Sequence, residues 1–280
     1  MQKPIAPRKP GVIQNLDYAD DRYQALSTRM WGAIADDLPE PKYISQEIGG
    51  ILATTRECFD HLAKDLIEEI LLPHTTDSIR NEYNKGQKGK YKSTYFPFRL
   101  GQIKSQSSNI FSLSSKHHPG LHVHLKQFIE AIDNDLCIAN TVLRVRTLRD
   151  LVDIVNSKKH STIIEYKRRE NEKLFLRGQS GSYMFDKDFR NDDPSFRVLL
   201  PTDAKPKLAP DYIFPFNNQD IMDFTKSSIH VTKMVMDIFY DAFFEEGERV
   251  NKPDIPTVTF HTEDEIKALM PNMSSAPIAL

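Results

Sequence analysis

Apolar residues recur at intervals of three and four along most of the chain, which is the spacing that places them on one face of an α-helix. The most regular pattern covers residues 44–72 and ends at Pro73. Its apolar positions are Ile44, Ile48, Ile51, Leu52, Phe59, Leu62, Leu66 and Ile70. The same spacing predicts further helices at residues 20–37, 102–116, 121–134, 136–157 and 217–246.

The pattern changes beyond Ser161, where short apolar segments alternate with polar turns. These segments are rich in β-branched and aromatic residues and lie at residues 162–166, 173–176, 181–185 and 196–200. A period of two predicts antiparallel strands, and helical spacing returns near Ile221. The sequence therefore predicts a mostly α (α+β) fold, with a small antiparallel β-sheet inserted at about residues 161–200.

The two ends of the chain lack this periodicity. Residues 1–19 begin with a proline-rich run that predicts a flexible N-terminal segment, and residues 251–280 contain several prolines and predict a tail that packs only in part. Residues 20–250 are then expected to form a single helical domain. Within it, residues 79–95 predict an exposed loop whose far end is pinned by the aromatic residues at 95–98.

Composition excludes several classes of protein. With 39% hydrophobic and 27% charged residues, the chain is typical of a globular protein and not of a disordered one. Its net charge of −2 produces no global positive field, so nucleic-acid binding would need a local patch. No run approaches the ~20 apolar residues of a membrane span, and residues 1–15 lack the apolar core of a signal peptide. Cys58 and Cys137 fall in predicted helices, which favours a reducing compartment and a cytoplasmic location.

The long predicted helix carries Arg56, Asp60 and His61 in the run Thr-Arg-Glu-Cys-Phe-Asp-His-Leu-Ala. Arginine binds phosphate well, and histidine exchanges a proton near neutral pH. A separation of five residues places the two side chains about 140° apart, because each residue turns the helix by ~100°. They would meet on one ligand only through the reach of arginine, a helix distortion or a second subunit. The alternative is an ion pair between Arg56 and Asp60, with His61 packed against a neighbouring helix.

Three blocks occur in order along the chain: Arg-Glu-Cys-Phe-Asp-His-Leu-Ala at residues 56–63, Tyr-Phe-Pro-Phe at 95–98 and Leu-Val-Asp-Ile-Val-Asn-Ser-Lys-Lys-His at 151–160. Followed by strands and a closing amphipathic helix, this order resembles a group of uncharacterised bacterial helical proteins related to the HEPN superfamily. The resemblance covers about residues 20–245. This chain carries Glu57 and Cys58 where those proteins have small residues, and Ser161 where they have a second basic residue.

The resemblance implies a HEPN-like helical bundle and a metal-independent endoribonuclease without a cofactor. In such enzymes an arginine steadies the scissile phosphate and a histidine moves a proton between the 2′-hydroxyl and the leaving oxygen, across a dimer interface. Here Arg56 and His61 would take these catalytic roles. The residues implied to bind substrate are Asp60, Asn156, Lys159 and His160. RNA, a second copy of the chain and a further protein partner are the implied partners, in a toxin or in defence against phage.

Other patterns leave alternatives open. Of the histidines at 117, 118, 122 and 124, the pair His122 and His124 could hold a metal only on a strand, because residues two apart diverge on a helix; no metal site is predicted. Basic residues concentrate between positions 144 and 169, either as a phosphate-contacting surface or as a solvated helix face. The alternative to an enzyme is a non-catalytic helical module that binds a protein or nucleotide.

The long predicted helix also carries extra apolar residues at Ile51, Ile67 and Leu71. Its apolar surface then exceeds what one flanking helix would cover. We therefore expect a two-fold dimer, with this helix or the closing helix around Phe239 and Phe243 near the interface.

Overall fold

A computed structural model describes residues 3–85, 95–99, 109–138, 143–158, 164–178, 181–186, 205–215, 217–250 and 260–261. Within them the α-helices are α1 (Lys9–Ala35), α2 (Ile44–Asp65), α3 (Asp77–Asn84), α4 (Asn109–His117), α5 (Pro119–Asp133), α6 (Thr147–Lys158) and α7 (Ile221–Phe243). The strands are β1 (Cys137–Ile138), β2 (Lys167–Gly178), β3 (Gly181–Asp186), β4 (Lys205–Ile213) and β5 (Phe260–His261). The prediction of a mostly helical fold with a small antiparallel sheet is confirmed.

The larger sheet has the strand order β3-β2-β4, and both pairings are antiparallel. Gly178 pairs with Gly181, so β2 and β3 form the hairpin that the Gly-x-x-Gly spacing predicts. The smaller sheet joins β1 to β5, also antiparallel. None of the helices in the described ranges is both long and apolar enough to cross a membrane.

Helix α2 lies at the centre of the helical layer, where it contacts α1, α6 and α7. Beyond Asp65 it continues as a π-helix, Leu66–Leu71, and then as one 3₁₀ turn, Leu72–His74. Pro73 lies in that last turn and lacks the backbone donor needed to continue an α-helix. The predicted helix at residues 44–72 is therefore confirmed, with a change of helical type near its end.

Asp65 is a fully buried carboxylate at the junction between α2 and the π-helix. It accepts hydrogen bonds from the backbone nitrogen of Arg8 at 3.3 Å, from Arg8 Nη1 at 2.9 Å and from the Tyr240 hydroxyl at 3.3 Å. Burial raises the pKa of Asp65, and the bonds from Arg8 and Tyr240 act against that rise. Asp65 thus joins the N-terminal segment and α7 to the central helix.

The N-terminal prediction is wrong from Lys9 onward, because α1 begins there and not near residue 20. Pro10 lies in the first turn, where the missing backbone donor is not needed, so a proline-rich start is compatible with a helix. The residues before it are also docked. Lys3 Nζ donates to the Asp241 carbonyl oxygen at 2.5 Å, and the Glu245 backbone nitrogen donates to the Pro4 carbonyl oxygen at 2.9 Å.

Other boundaries differ from prediction. The expected helix at residues 136–157 is wrong in its first half, because Cys137 and Ile138 form β1 and α6 begins at Thr147. Residues 79–84 belong to α3 and not to a loop. The predicted strand at residues 196–200 lies outside the described residues, as does most of the C-terminal tail.

Strand β4 falls between the last predicted strand, which ends at residue 200, and the closing helix, where the sequence predicts neither element. Pro206 and Pro210 lie within it, and proline cannot donate to a ladder of hydrogen bonds. Because β4 is at one edge of the β3-β2-β4 sheet, it has one neighbouring strand in that sheet. Its prolines therefore do not interrupt hydrogen bonding to a second strand. The sheet therefore extends beyond the predicted insertion, to Ile213.

The extra apolar residues of the central helix are covered within one chain. Ile51, Ile67 and Leu71 are all buried, as are Phe239 and Phe243 of α7. Helices α1, α6 and α7 pack on α2, and α4 packs on the π-helix. The apolar surface that led us to expect a dimer is thus not available, and that argument for a dimer is wrong.

Candidate functional site

Arg56 lies at the border between the buried and the exposed faces of α2, with 15% of its side chain exposed. Its Nη1 donates to Oδ2 of Asp60, one helical turn later. Its Cζ atom lies over the Tyr95 ring, 5.9 Å from the ring centroid. The guanidinium is therefore held between a carboxylate of its own helix and an aromatic ring from a distant segment.

Asp60 is half-buried, and burial raises its pKa while the charge and hydrogen bond of Arg56 oppose the rise. Two polar atoms of this pair are buried without a hydrogen-bond partner among the described residues: Nε of Arg56 and Oδ1 of Asp60. The ion pair of the alternative interpretation is present, but it leaves one donor and one acceptor unsatisfied.

The segment at residues 95–99 brings Tyr95 to this site. Phe96 and Phe98 are buried, and their ring centroids lie 5.3 and 4.9 Å from that of Phe59 on α2. At the other end, Arg99 forms an ion pair with Asp153 of α6. The prediction that these aromatic residues pin the chain is confirmed, and the anchoring fixes the position of the Tyr95 ring.

His61 points away from this cluster. Its side chain is 31% exposed, and its Nε2 lies 4.0 Å from Oε1 of Glu57, which is itself mostly exposed. The five-residue separation from Arg56 corresponds to about 140° around the helix. Within one chain, therefore, Arg56 and His61 do not converge on a common ligand, although both reach the surface.

Comparisons with protein-family models, with curated proteins and with solved structures found no match to this chain.

Of the remaining predicted substrate-binding residues, the structure describes only Asn156, which lies on α6. Asn156 is exposed and follows Asp153, which pairs with Arg99, by three residues. Lys159 and His160 lie outside the described residues. The structure thus brings α6 to the segment that holds Tyr95, and it shows no contact between the described Asn156 and Arg56.

The histidines near residue 120 have structural roles. Nδ1 of His118 accepts a hydrogen bond from the Leu121 backbone nitrogen at 3.0 Å and so caps α5. Nδ1 of His122 lies 3.3 Å from the Ser114 hydroxyl. His122 and His124 are two apart on a helix, and the described residues contain no group of three side chains suited to hold a metal ion.

Cations in two other charged regions form ion pairs. In the basic stretch, Arg144 pairs with Asp135 and Arg149 pairs with Asp133. A pocket of about 210 Å³ lies between the α1–α2 connection and the sheet. Its cations are paired as well, Lys207 with Asp37 and Arg168 with Glu40 and Glu170.

Sequence reasoning identified Tyr95 as part of an anchor and missed its contact with Arg56. The sequence did contain one indication of this position, because Tyr95 stands next to a run of apolar rings. A polar aromatic residue at the end of a buried segment can remain at the surface. The contact itself joins residues far apart in the chain, and spacing carries no information about it.

Proposed function

We propose that this chain is a metal-independent endoribonuclease of the HEPN type that acts on RNA as a homodimer. Arg56 binds the scissile phosphate, and His61 is the proton-transfer group. The observation that carries the proposal is that both side chains are partly exposed on the surface of α2, with Arg56 held in place by Asp60 and Tyr95. A cytoplasmic toxin or phage-defence effector is the corresponding biological role.

The Arg56 guanidinium retains the capacity to bind a phosphate. Arginine has five N–H donors in a planar fork, and the hydrogen bond to Asp60 uses Nη1. Asp60 and the Tyr95 ring restrain the side chain, so little conformational entropy is lost when an anion binds. A positioned cation of this kind stabilises the charge that develops on phosphate oxygens in the transition state.

In the proposed reaction the 2′-hydroxyl oxygen attacks the adjacent phosphorus, and the bond from phosphorus to the 5′-oxygen breaks. His61 removes the proton from the 2′-hydroxyl and delivers a proton to the leaving 5′-oxygen. The products are a 2′,3′-cyclic phosphate and a free 5′-hydroxyl.

The angle between Arg56 and His61 requires a second subunit in this mechanism. In a two-fold dimer, Arg56 of one protomer and His61 of its partner can face the same phosphate. We expect light scattering at micromolar concentration to give twice the chain mass of 32.2 kDa. Full cleavage activity in a preparation that is monomeric at the assay concentration would contradict a shared site.

The direct test is the incubation of purified protein with total RNA, with and without EDTA. We expect equal cleavage in both conditions, because the acid and base are side chains and not a metal-bound water. The fragments should carry cyclic phosphate, detectable by their resistance to 3′-end ligation until the cyclic phosphate is opened and the remaining phosphate is removed. Loss of cleavage in chelator, or no cleavage in either condition, would overturn the proposal.

A non-catalytic binding module is the second candidate function. The observation that favours it is the i,i+4 ion pair between Arg56 and Asp60, an arrangement that commonly stabilises a helix surface by ~0.3–0.5 kcal/mol without further function. On this reading the protein binds a protein or nucleotide partner, and RNA remains intact in the assay described above.

A further inference from the structure

Tyr95 is the exposed member of an otherwise buried aromatic segment. Phe96 and Phe98 are 2% and 3% exposed, whereas Tyr95 is 45% exposed. An aromatic ring at the surface costs free energy through its contact with water. A surface tyrosine at the end of such a segment is therefore a candidate for contact with a ligand.

The backbone that follows Tyr95 is also anchored. Phe96 packs against the rings of Phe59, Phe98, Phe128 and Phe239, with centroid separations from 5.1 to 5.5 Å. The ion pair between Arg99 and Asp153 secures the other end of the segment. Because the flanking backbone is anchored on two helices, a ligand that stacks on Tyr95 orders little additional chain.

We propose that Tyr95 and Arg56 form a subsite for one unpaired nucleotide. The Tyr95 ring stacks on the base, and the guanidinium 5.9 Å from the ring centroid binds the neighbouring phosphate. The inference rests on the proposed function, which places a phosphate at Arg56, and it names the substrate class as single-stranded nucleic acid.

The stacking contact requires an unpaired strand. In a duplex each base is stacked within the helix and its flat face is not available to a side chain. The chain has a net charge of −2, so its overall field does not attract a phosphate backbone. Affinity then depends on a local cation and on base stacking, and a single strand offers both contacts at once.

The test uses a fluorescently labelled single-stranded DNA oligonucleotide, which lacks the 2′-hydroxyl and is not cleaved. Anisotropy titrations should show tighter binding of the single strand than of the same sequence as a duplex. Tyr95→Ala should weaken single-strand binding by about 5- to 150-fold, which corresponds to the usual contribution of one stacked base. Tyr95→Phe should retain most of the affinity, because the ring and not the hydroxyl makes the contact.

Tyr43→Ala is the matched control, since Tyr43 is 69% exposed and belongs to the α1–α2 connection. It should bind the single strand as the unmodified protein does. Unchanged thermal unfolding of Tyr95→Ala shows that a loss of binding is not a loss of structure. Equal affinities of Tyr95→Ala and the unmodified protein, or no preference for the single strand over the duplex, would overturn the subsite.

The experiments can reject the nucleotide subsite and the nuclease activity independently of each other. If Tyr95→Ala loses DNA binding while RNA is never cleaved, the subsite stands and the proposed reaction does not. If cleavage depends on His61 while Tyr95→Ala binds normally, the reaction stands and the subsite is overturned.

Discussion

His61→Ala should lower the rate of RNA cleavage by about 10²- to 10⁴-fold, the usual contribution of a positioned proton-transfer group. Its stability should change little, because His61 is partly exposed and the nearest ionic partner, the Glu57 carboxylate, is 4.0 Å away. Single-turnover kinetics on a labelled RNA measures the chemical step without interference from product release.

Arg56→Ala should reduce cleavage by a comparable factor, because it removes the cation that stabilises the phosphate charge. This variant also leaves Asp60 half-buried without its partner, so its folded fraction must be measured beside its rate. Asp60→Asn separates the two effects, since it removes the ion pair and keeps the arginine.

Matched controls are available elsewhere in the helical layer. His74 is exposed at the end of the 3₁₀ turn that follows the π-helix, and Arg29 of α1 pairs with Glu47 much as Arg56 pairs with Asp60. His74→Ala and Arg29→Ala should cleave RNA at the unmodified rate. If His61→Ala or Arg56→Ala matched these controls, the assigned roles would be wrong.

Phe96→Ala should lower the free energy of unfolding by about 3–5 kcal/mol. Phe96 is 2% exposed and lies in the aromatic cluster between α2, α5 and α7, so truncation leaves a cavity that the surrounding rings fill only in part. Urea denaturation followed by circular dichroism measures the change.

Tyr95→Ala serves as the neighbouring control for stability and should change the free energy of unfolding by about 0.5 kcal/mol or less, because the residue is largely exposed. Phe96→Leu should fall between the two variants. A loss of less than about 1 kcal/mol in Phe96→Ala would show that the segment at 95–99 is not packed as described.

The helices that sequence predicts best are those whose apolar period runs without interruption, such as α2 and α7. Strand β1 could not be found in this way. Cys137 and Ile138 continue a helical spacing of apolar residues, and what makes them a strand is pairing with Phe260 and His261, over a hundred residues later. The local pattern of apolar residues does not indicate this pairing partner.

Part of the candidate site could also be predicted from the sequence. Arg56, Asp60 and His61 fall on one helix, and helical geometry alone gives both the Arg56–Asp60 pair and the divergence of His61. The position of Tyr95 beside Arg56 was not predictable, because it depends on how Phe96 and Phe98 pack against Phe59.

The contacts between Arg8 and the buried Asp65 make the stability of the folded protein depend on its N-terminal segment. Deletion of the residues up to Arg8 would remove the buried Ala6, and it would withdraw Arg8 from a carboxylate that has no access to solvent. Breaking a buried ion pair by removing one partner typically costs about 3–5 kcal/mol. A chain shortened past Arg8 would therefore behave as a core mutation.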